Sequence, residues 1–282
     1  MDVSWSNLLR MMNVLQAKIQ AIRSAGVDQL HVICDFDRTL TTFTKGGSSF
    51  SPVRRLGLLT EEYAEKAMAL FYHYHPLELD PLIPHEEKSG IMHEWWEAQF
   101  HLMIQEGFKK EHLELMKGQD MIQLRPGVVE FMKEVSEMGV PMLVLSAGFG
   151  DMIEIVLEEA GVYTPNVHVV ANFMEYAESG AAIGYAPPII HGLNKCEQEL
   201  GPYRDEVALR PNVLLVGDML GDANMADGLP HDTVLKIGYF NSMDDETRPH
   251  YFEAFDVVIE GDESWEKVSA VWRQLTNNNK LL

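Results

Sequence analysis

The 282-residue sequence is poor in cysteine, with Cys34 and Cys196 as its only two. A disulfide framework is therefore excluded, and the composition fits a reducing compartment, which predicts a cytoplasmic location. The sequence has no Asn-x-Ser/Thr glycosylation sequon and no apolar run long enough to cross a bilayer. We therefore expect a protein that does not enter a membrane.

Basic residues are also scarce, since 22 Lys and Arg stand against 43 Asp and Glu, giving a formal net charge of −21. Such an acidic excess opposes binding to a nucleic acid polymer or to an anionic membrane surface. It does not oppose a small phosphorylated ligand, because one Mg²⁺ ion reverses the local sign of the charge. With 46% hydrophobic and 23% charged residues, the composition is that of a globular protein.

Short apolar runs alternate with helical patterns through much of the chain. Strands are predicted at 30–34, 140–146, 167–171, 212–217, 233–239 and 255–259. Helices are predicted around them, including an N-terminal amphipathic helix that ends near Gly26 and a short helix over 194–200. This alternation is typical of an α/β fold with a doubly wound parallel sheet.

One long stretch interrupts the alternation. Residues 48–123 show amphipathic helical patterns rich in Met, His, Trp and Glu, with Pro76, Pro81 and Pro84 between two of the helices. We therefore predict three segments. Residues 1–47 hold the N-terminal helix and the first core strand, 48–123 form an inserted all-helical cap, and 124–282 complete the core.

Reactive side chains stand at or just after the ends of three predicted strands, and one lies between two of them. They are Asp35 and Asp37, Ser146 with the following Ala147, Lys195, and Asp218. In open parallel sheets, ligands bind beyond the carboxyl ends of the strands. Two carboxylates there suit octahedral Mg²⁺, and a carboxylate can attack phosphorus to give an aspartyl-phosphate.

The same set meets the other needs of phosphoryl transfer. Asp37 is placed to protonate a leaving alkoxide and then to activate water. Ser146 and the backbone N–H after it offer donors to phosphoryl oxygens, and Lys195 supplies positive charge. Each residue alone has an ordinary explanation, in a turn, a helix cap or a solvated surface. Their conjunction in this order is what indicates phosphoryl transfer.

Three competing motifs fit less well. An EF-hand starting at Asp35 would need Glu where Gly46 stands. A dinucleotide-binding pattern that starts at Gly148 has Ile153 at its third glycine position. A zinc site in the predicted cap would lack cysteine and any usual ligand spacing. The histidines that suggest it are His73, His75, His85, His93 and His101.

Longer strings resemble a known enzyme family. Asp-Phe-Asp-Arg-Thr-Leu at 35–40, Ser-Ala-Gly-Phe-Gly-Asp at 146–151 and the acidic motif at 217–228 resemble those of cytosolic 5′-nucleotidase III, in the haloacid-dehalogenase superfamily. The resemblance runs from about Leu8 to the C-terminus. It implies a Rossmann-like core with a parallel sheet and an inserted all-helical cap. It also implies Mg²⁺-dependent hydrolysis of nucleoside 5′-monophosphates through an aspartyl-phosphate, with 7-methylguanosine and cytidine monophosphates favoured.

The resemblance implies a role for each matching acidic residue. Asp35 would be the nucleophile and a Mg²⁺ ligand. Asp37 would be the acid/base, with its backbone carbonyl on the metal. Asp218 would be the third protein ligand of the metal, and Asp222 would be a carboxylate that supports the ligands from behind.

Five further residues would bind the substrate. Ser146, Ala147 and Lys195, which falls at the family's motif lysine, would hold the phosphate. Glu78, in a Glu-x-Asp-Pro string, would contact the nucleoside. Trp96 would stack on the base, and an indole face attracts a cationic base such as 7-methylguanine by roughly 0.5–2 kcal/mol.

The assignment of Trp96 has an open alternative. Trp96 could be a structural aromatic of the cap, as Trp95 is expected to be. Gln99 replaces a serine of the family three residues past the stacking aromatic, which puts a ribose or base contact in doubt. The preferred base therefore stays open between 7-methylguanine and a pyrimidine.

Two other functions remain to be distinguished from hydrolysis. A nucleoside phosphotransferase would use the same intermediate and pass the phosphate to a nucleoside. A non-catalytic nucleotide-binding module would use the pocket without turnover, although the presence of both Asp35 and Asp37 argues against it. We expect a monomer whose partner is the nucleoside monophosphate substrate.

Overall fold

A six-stranded parallel sheet lies at the centre of the computed structural model, which describes residues 5–44, 47–80, 82–241, 246–261 and 264–277, with side chains from Met12 onward. Its strands are β1 (Leu30–Cys34), β2 (Met142–Phe149), β3 (Val167–Asn172), β6 (Asn212–Gly217), β7 (Thr233–Phe240) and β8 (Val257–Glu260). The short strands β4 (Met174–Tyr176) and β5 (Ala182–Tyr185) form a separate antiparallel hairpin. The predicted α/β fold with a parallel sheet is confirmed.

Helices pack around the sheet and fill the long insertion. They are α1 (Trp5–Ala25), α2 (Ser51–Arg55), α3 (Glu61–Leu79), α4 (His85–Gln105), α5 (Lys110–Met116), α6 (Val128–Glu137), α7 (Gly150–Glu159), α8 (Arg204–Val207), α9 (Arg248–Ala254) and α10 (Glu266–Thr276). The N-terminal helix α1 packs against α10 and β7 and buries Ile19 and Ile22. Within the described ranges, no helix combines the length and apolar character that a membrane crossing needs.

The sheet is buried on both faces. Every residue of β1 is buried, and its alternate side chains enter two separate hydrophobic clusters, with Val32 and Cys34 in one and Ile33 in the other. A strand that is covered on both sides needs a continuous apolar run rather than an alternating one. This requirement explains why β1 and β6 are recognisable in the sequence.

The strand order β3-β2-β1-β6-β7-β8 reverses direction between β1 and β6. These two strands are parallel and pair from Leu30↔Asn212 to Cys34↔Val216, so both end at the same edge of the sheet. Connections diverge at such a switch point and leave a crevice in which ligands bind. Asp35 and Asp218 follow these two strands and therefore lie at this crevice.

In the described part of the chain, helices α2 to α5 form the insertion after β1, and α6 then leads back into the sheet at β2. The chain leaves and re-enters the core side by side, because Thr41 and Leu124 form an antiparallel bridge and the N–H of Thr42 donates to the carbonyl of Gln123 at 2.8 Å. We propose the predicted boundaries for the domains, at 1–47, 48–123 and 124–282. The paired crossing and the all-helical insertion support them.

Pro76 lies inside α3 and not between two helices, which corrects the sequence prediction. A proline in a helix frees the carbonyl four residues earlier. That carbonyl belongs to Tyr72, which is 70% exposed, so water can hydrate it. Pro84 immediately precedes α4 as predicted, and Pro81 lies outside the described residues.

The segment 194–200 does not form the predicted helix. It contains a turn followed by a single 3₁₀ turn at Glu197–Glu199. Its first residue, Asn194, donates from Nδ2 to the carbonyl of Ile189 and accepts the N–H of His191 at Oδ1. Side-chain hydrogen bonds of this kind compete with helical ones. The β4–β5 hairpin, which no sequence pattern predicted, joins the insertion through the bridge between Lys109 and Ala181.

Candidate active site

The chain turns sharply as it leaves β1. Residues Phe36–Leu40 form one irregular helical turn, in which Arg38 adopts a left-handed backbone conformation with φ of 65°. Buried Arg125 holds this turn by donating from Nε to the carbonyl of Thr39 at 2.8 Å and from Nη2 to that of Arg38 at 2.6 Å. Strained backbone that the surroundings hold in place is common at functional sites. Here it keeps Asp37 close to Asp35.

Lys195 lies between two carboxylates. Its Nζ is 2.6 Å from Asp35 Oδ1 and 2.7 Å from Asp222 Oδ1, and its side chain is 6% exposed. Burial alone would lower the pKa of Lys195, but the charges of Asp222 and Asp35 outweigh burial and raise that pKa. Lys195 therefore stays protonated and provides a fixed positive charge beside the predicted nucleophile.

Asp222 holds the turn that follows β6. Its Oδ2 accepts the backbone N–H groups of Asp218 and Met219, both at 2.9 Å, while its Oδ1 accepts Lys195. A Cβ atom on Gly217 would lie 2.3 Å from the Cβ of Asp222, so this close approach requires glycine. Both oxygens of Asp222 are thus occupied by the protein, which fits the supporting position predicted for it.

Oxygen ligands for a hard cation converge at the crevice. Asp35, Asp218 and Asp222 each place a carboxylate oxygen within 4.8 Å of the others. Asp35 Oδ2 is buried and has no hydrogen-bond partner among the described residues, and such an atom is costly. Burial and the charges of Asp35 and Asp222 raise the pKa of Asp218 well above its ordinary value. A cation held by Asp35 and Asp218 would satisfy the unpaired oxygen and offset the crowded charge, so the donor set fits Mg²⁺.

Burial shifts both carboxyl groups of the first motif toward neutral pH. It raises the pKa of Asp35 to about 6, with the charge of Lys195 opposing the change. Burial, followed by the charge of Asp35, raises the pKa of Asp37 to about 7, while hydrogen bonds from Ser49 oppose it. A carboxyl group that titrates near the working pH can both give and take a proton. This property suits the acid/base role predicted for Asp37.

The raised pKa values predict how pH affects the protein after divalent cations are removed. Asp35 and Asp37 have an ordinary pKa of 3.8 but titrate at about 6 and about 7 in the folded protein. Between these values the folded state keeps protons that the unfolded state has released. The free energy of unfolding therefore falls as pH rises from about 4 to about 7. Thermal unfolding after chelation should show a midpoint several degrees lower at about pH 7.5 than at about pH 5.

The matched control is Asp37→Asn, in which the same measurement should give a smaller fall. All other carboxyl groups are common to both proteins, so the comparison isolates Asp37 together with its interaction with Asp35. Added Mg²⁺ should raise the midpoint of the wild type more at the higher pH, because the cation binds ionised carboxylates. A fall that is equally steep in Asp37→Asn and in the wild type would contradict the prediction.

The end of β2 lies beside the same turn. Ser146 is buried, and its Oγ accepts the N–H of Gly148 at 3.0 Å. The carbonyl of Ala147 accepts Nδ2 of Asn172 at 2.9 Å. A Cβ atom on Gly148 would lie 3.0 Å from both Ser146 Oγ and Asp37 Oδ2. The predicted phosphate-binding hydroxyl and the predicted acid/base therefore flank the same glycine.

Glu78 reaches the core from the last turn of α3. A Cβ atom on Gly192 would lie 3.4 Å from Glu78 Oε1, so this carboxylate lies beside the backbone of Gly192. Burial raises the pKa of Glu78, and nearby cations that include Lys195 oppose the change. The cap thus places Glu78 against the segment that carries Lys195.

Trp96 lies between two other aromatic rings. Its ring centroid is 5.6 Å from that of Trp95, with 13° between the planes, and 5.1 Å from that of Phe50, with 27° between the planes. Trp95 stacks on Tyr74 inside the cap, whereas Phe50 stacks on Phe149 of the core at 5.5 Å. Phe50 therefore links Trp96 of the cap to Phe149 of the core, and Trp96 itself is half-buried.

The structure shows the contacts of three further residues near the substrate-binding elements. Ser49 and Phe50 follow a Gly- and Ser-rich stretch that has no periodic pattern, so the sequence offered no signal for them beyond a loop. Gln99 is buried and donates from Nε2 to the hydroxyl of Tyr63 at 3.2 Å. Its side chain thus packs within the cap.

Glu197, two residues after Lys195, anchors the same segment to the start of β1. Its carboxylate lies within hydrogen-bond distance of Nε2 of His31, at 3.0 Å, and of Nε2 of His231. Nδ1 of His31 donates to the carbonyl of Arg210 at 2.8 Å. These residues are far apart in the sequence, and the one available signal was a histidine within the apolar run of β1.

Comparisons with known proteins agree with this geometry. Residues 38–276 match the family described as pyrimidine 5′-nucleotidase (UMPH-1). A 7-methylguanosine phosphate-specific 5′-nucleotidase from Gallus gallus is 35% identical over 264 residues, which cover 91% of this chain and 91% of that protein. The protein with the same name from Homo sapiens is 33% identical over 277 residues, which cover 95% and 92%.

Solved structures of related enzymes are also similar to this chain. The crystal structure of cytosolic 5′-nucleotidase IIIB bound to cytidine matches with a TM-score of 0.84 and 29% identity, covering 94% of this chain and 92% of that chain. A substrate-bound phosphoserine phosphatase complex matches with a TM-score of 0.54 and 17% identity, covering 86% and 96%. The second likeness concerns the fold alone.

Proposed function

The chain belongs to the pyrimidine 5′-nucleotidase family and is a 5′-nucleotidase with a haloacid-dehalogenase core, and from this premise we propose that it hydrolyses nucleoside 5′-monophosphates through an aspartyl-phosphate on Asp35. The observation that carries the proposal is the position of Lys195 Nζ, 2.6 Å from Asp35 Oδ1 and 2.7 Å from Asp222 Oδ1. The predicted nucleophile Asp35, the positive charge of Lys195 and an oxygen without a hydrogen-bond partner among the described residues, Asp35 Oδ2, therefore lie together at the switch point of the sheet.

Asp35, Asp218 and the backbone carbonyl of Asp37 would hold Mg²⁺. When bound, the ion supplies Lewis-acid neutralisation of the negative charge on the phosphoryl group. Asp222 holds the turn that carries Asp218 through its two backbone hydrogen bonds. We assign Asp222 to this supporting task and not to the metal.

In the first half-reaction, a carboxylate oxygen of Asp35 forms a bond to phosphorus while the bond from phosphorus to the 5′-oxygen breaks. Asp37 gives its proton to the 5′-oxygen, so the nucleoside leaves as a neutral alcohol and Asp37 is left ionised. Lys195 keeps its proton and offsets the charge on the phosphoryl oxygens. The Ser146 hydroxyl and the N–H of Ala147 donate hydrogen bonds to the same oxygens.

In the second half-reaction, Asp37 takes a proton from a water molecule. The oxygen of that water attacks phosphorus, and the bond between phosphorus and Asp35 breaks. Inorganic phosphate leaves, and both Asp35 and Asp37 return to their starting protonation states. A pKa of about 7 at Asp37 suits a group that must act first as an acid and then as a base.

We assign the choice of base to Glu78 and Trp96. A base that stacks between Phe50 and Trp96 needs the two rings about 7–8 Å apart, which is twice a van der Waals contact, and they are 5.1 Å apart here. Because Phe149 holds Phe50 to the core, we propose that α4 moves away from Phe50 when the base enters. Glu78 would then accept a hydrogen bond from the exocyclic amine of cytosine or 7-methylguanine.

Trp96→Ala should lower kcat/KM for 7-methylguanosine monophosphate more than for cytidine monophosphate. The methylated base is cationic, and a cation–π contribution of about 1–2 kcal/mol corresponds to roughly five- to thirty-fold in specificity. Guanosine and adenosine monophosphates, which lack this charge, should be poor substrates of the wild type. Steady-state kinetics on these nucleotides provide the measurement, with Trp96→Tyr as the control that keeps an aromatic face. Equal losses on both good substrates would assign Trp96 to cap structure alone.

A panel of nucleoside monophosphates tests the proposed function as a whole. Phosphate release with Mg²⁺ is expected, and added free nucleosides should not convert that release into transfer to the nucleoside. Stoichiometric transfer would instead identify a phosphotransferase, and the absence of any turnover would identify a binding module. We also propose a cytoplasmic location, supported by the word cytosolic in the name of a structural relative, and a monomeric state, which light scattering would measure.

A further inference from the structure

The loop that leads into the cap also holds the proposed acid/base. Ser49 is fully buried. Its backbone N–H donates to Asp37 Oδ1 at 2.8 Å, and its hydroxyl donates to Asp37 Oδ2 at 2.9 Å. One residue thus contacts both oxygens of the carboxyl group. When Asp37 is protonated, its proton must therefore lie on a carboxyl lone pair that does not accept a hydrogen bond from Ser49.

The end of β2 fixes the direction of the Ser49 hydroxyl. The N–H of Phe149 donates to Ser49 Oγ at 2.9 Å, so the hydrogen of the hydroxyl group is free for Asp37. A Cβ atom on Gly148 would lie 2.1 Å from Ser49 Oγ, so glycine alone permits this approach. Phe50 stacks on Phe149 and anchors the loop to the core. Ser49 is therefore held on both sides.

We propose that Ser49 is a positioning residue that orients the Asp37 carboxyl group for proton transfer to the leaving 5′-oxygen. This inference rests on the proposed function and gives Ser49 no contact with the substrate. In the step concerned, the bond from phosphorus to the 5′-oxygen breaks as Asp37 gives its proton to that oxygen. Without the hydroxyl, one of the two hydrogen bonds is lost, and the carboxyl group turns away from the productive geometry for part of the time.

Substrates with different leaving groups distinguish this positioning role of Ser49 from a purely structural role. Cytidine monophosphate and ribose 5-phosphate both release an alkoxide, which must be protonated. p-Nitrophenyl phosphate releases a phenolate that is stable without a proton. Since kcat/KM reports the steps up to the first irreversible phosphoryl transfer, it isolates the half-reaction in which Asp37 acts as an acid.

Ser49→Ala is expected to lower kcat/KM about 10- to 100-fold for cytidine monophosphate and for ribose 5-phosphate. The value for p-nitrophenyl phosphate should be nearly unchanged. The matched control is Ser51→Ala, two residues further along the chain at the first position of α2. Ser51 is also buried, but its Oγ has no hydrogen-bond partner within the described part of the chain. All three substrates should react with the Ser51 variant as with the wild type.

Ser49→Cys covers the case in which the alanine variant does not fold, because a thiol is a weaker donor of similar shape. It should show a smaller loss, again confined to the two alkoxide substrates. A folded variant that loses all three activities equally would overturn the inference. So would a loss on cytidine monophosphate without one on ribose 5-phosphate, because that pattern belongs to base recognition. A wild-type protein that hydrolyses p-nitrophenyl phosphate but no nucleotide would refute the proposed function itself.

Discussion

Asp35→Asn is expected to abolish nucleotide hydrolysis, with a fall in kcat of at least about 1,000-fold. The amide has nearly the shape of the carboxylate, but it cannot attack phosphorus and is a poor ligand for a hard cation. Lys195 keeps its ion pair with Asp222 at 2.7 Å, so the buried cation retains a partner. Initial rates with cytidine and 7-methylguanosine monophosphates provide the measurement.

A chemical trap makes this test specific for the intermediate. Wild-type protein that is mixed with phosphate-labelled nucleotide and quenched in acid should carry label that hydroxylamine removes, and Asp35→Asn should carry none. Asp205→Asn, on the exposed face of α8, is the control for an Asp-to-Asn change elsewhere. Substantial turnover by Asp35→Asn, free of contaminating phosphatase, would rule out the aspartyl-phosphate mechanism.

Exhaustive chelation of divalent cations is expected to lower activity by at least about 100-fold, because cation stabilisation of transition-state charge is worth several kcal/mol. Asp35 Oδ2 has no hydrogen-bond partner among the described residues, and burial and neighbouring charges raise the pKa of Asp218. Both observations describe buried carboxyl groups whose ionised form a bound cation would stabilise. Mg²⁺ should restore the rate. Ca²⁺ should restore it poorly, because it prefers more ligands at longer distances.

Thermal unfolding provides a measurement that does not depend on turnover. Mg²⁺ should raise the unfolding midpoint of the chelated wild type, because a ligand that binds only the folded state stabilises it. It should raise the midpoint of Asp218→Asn much less. Full activity after chelation, or an equal Mg²⁺ shift in the Asp218 variant, would contradict the proposed cation site.

The part of the site that rests on parallel strands was predictable. Parallel strands buried on both faces need continuous apolar runs, and β1 and β6 have them. Each run ends at an aspartate, Asp35 or Asp218. Because neighbouring parallel strands end at the same edge, the sequence pattern was enough to place these two side chains together. The family resemblance, which the comparisons confirm, rests on the same motifs.

The segment that carries Lys195 was not predictable in the same way. The sequence pattern indicated a helix over 194–200, but tertiary contacts override it. Lys195 forms ion pairs with Asp35 and Asp222. Glu197 contacts His31 and His231. Buried charges must find partners. A local pattern contains no information about partners from distant parts of the chain.

The contact between Ser49 and Asp37 could not be predicted from the sequence, for a different reason. A Gly- and Ser-rich stretch indicates a loop but not where the loop lies. Its position is set by Phe149, whose backbone N–H binds Ser49 Oγ and whose ring stacks on Phe50. Phe149 itself is a buried residue in β2, and its type alone indicates only a core position.

The bridge between Thr41 and Leu124 has a consequence for how such enzymes diversify. This bridge closes the insertion where it leaves and re-enters the core, so the insertion acts as one long loop on a fixed stem. The entropic cost of closing such a loop grows only with the logarithm of its length. An insertion of different length or sequence could be grafted onto the same stem at small cost to folding. Grafting at residues 42 and 123 would leave Asp35, Lys195 and Asp218 in place, so the pocket for the base can be exchanged as long as the new insertion keeps a donor where Ser49 contacts Asp37.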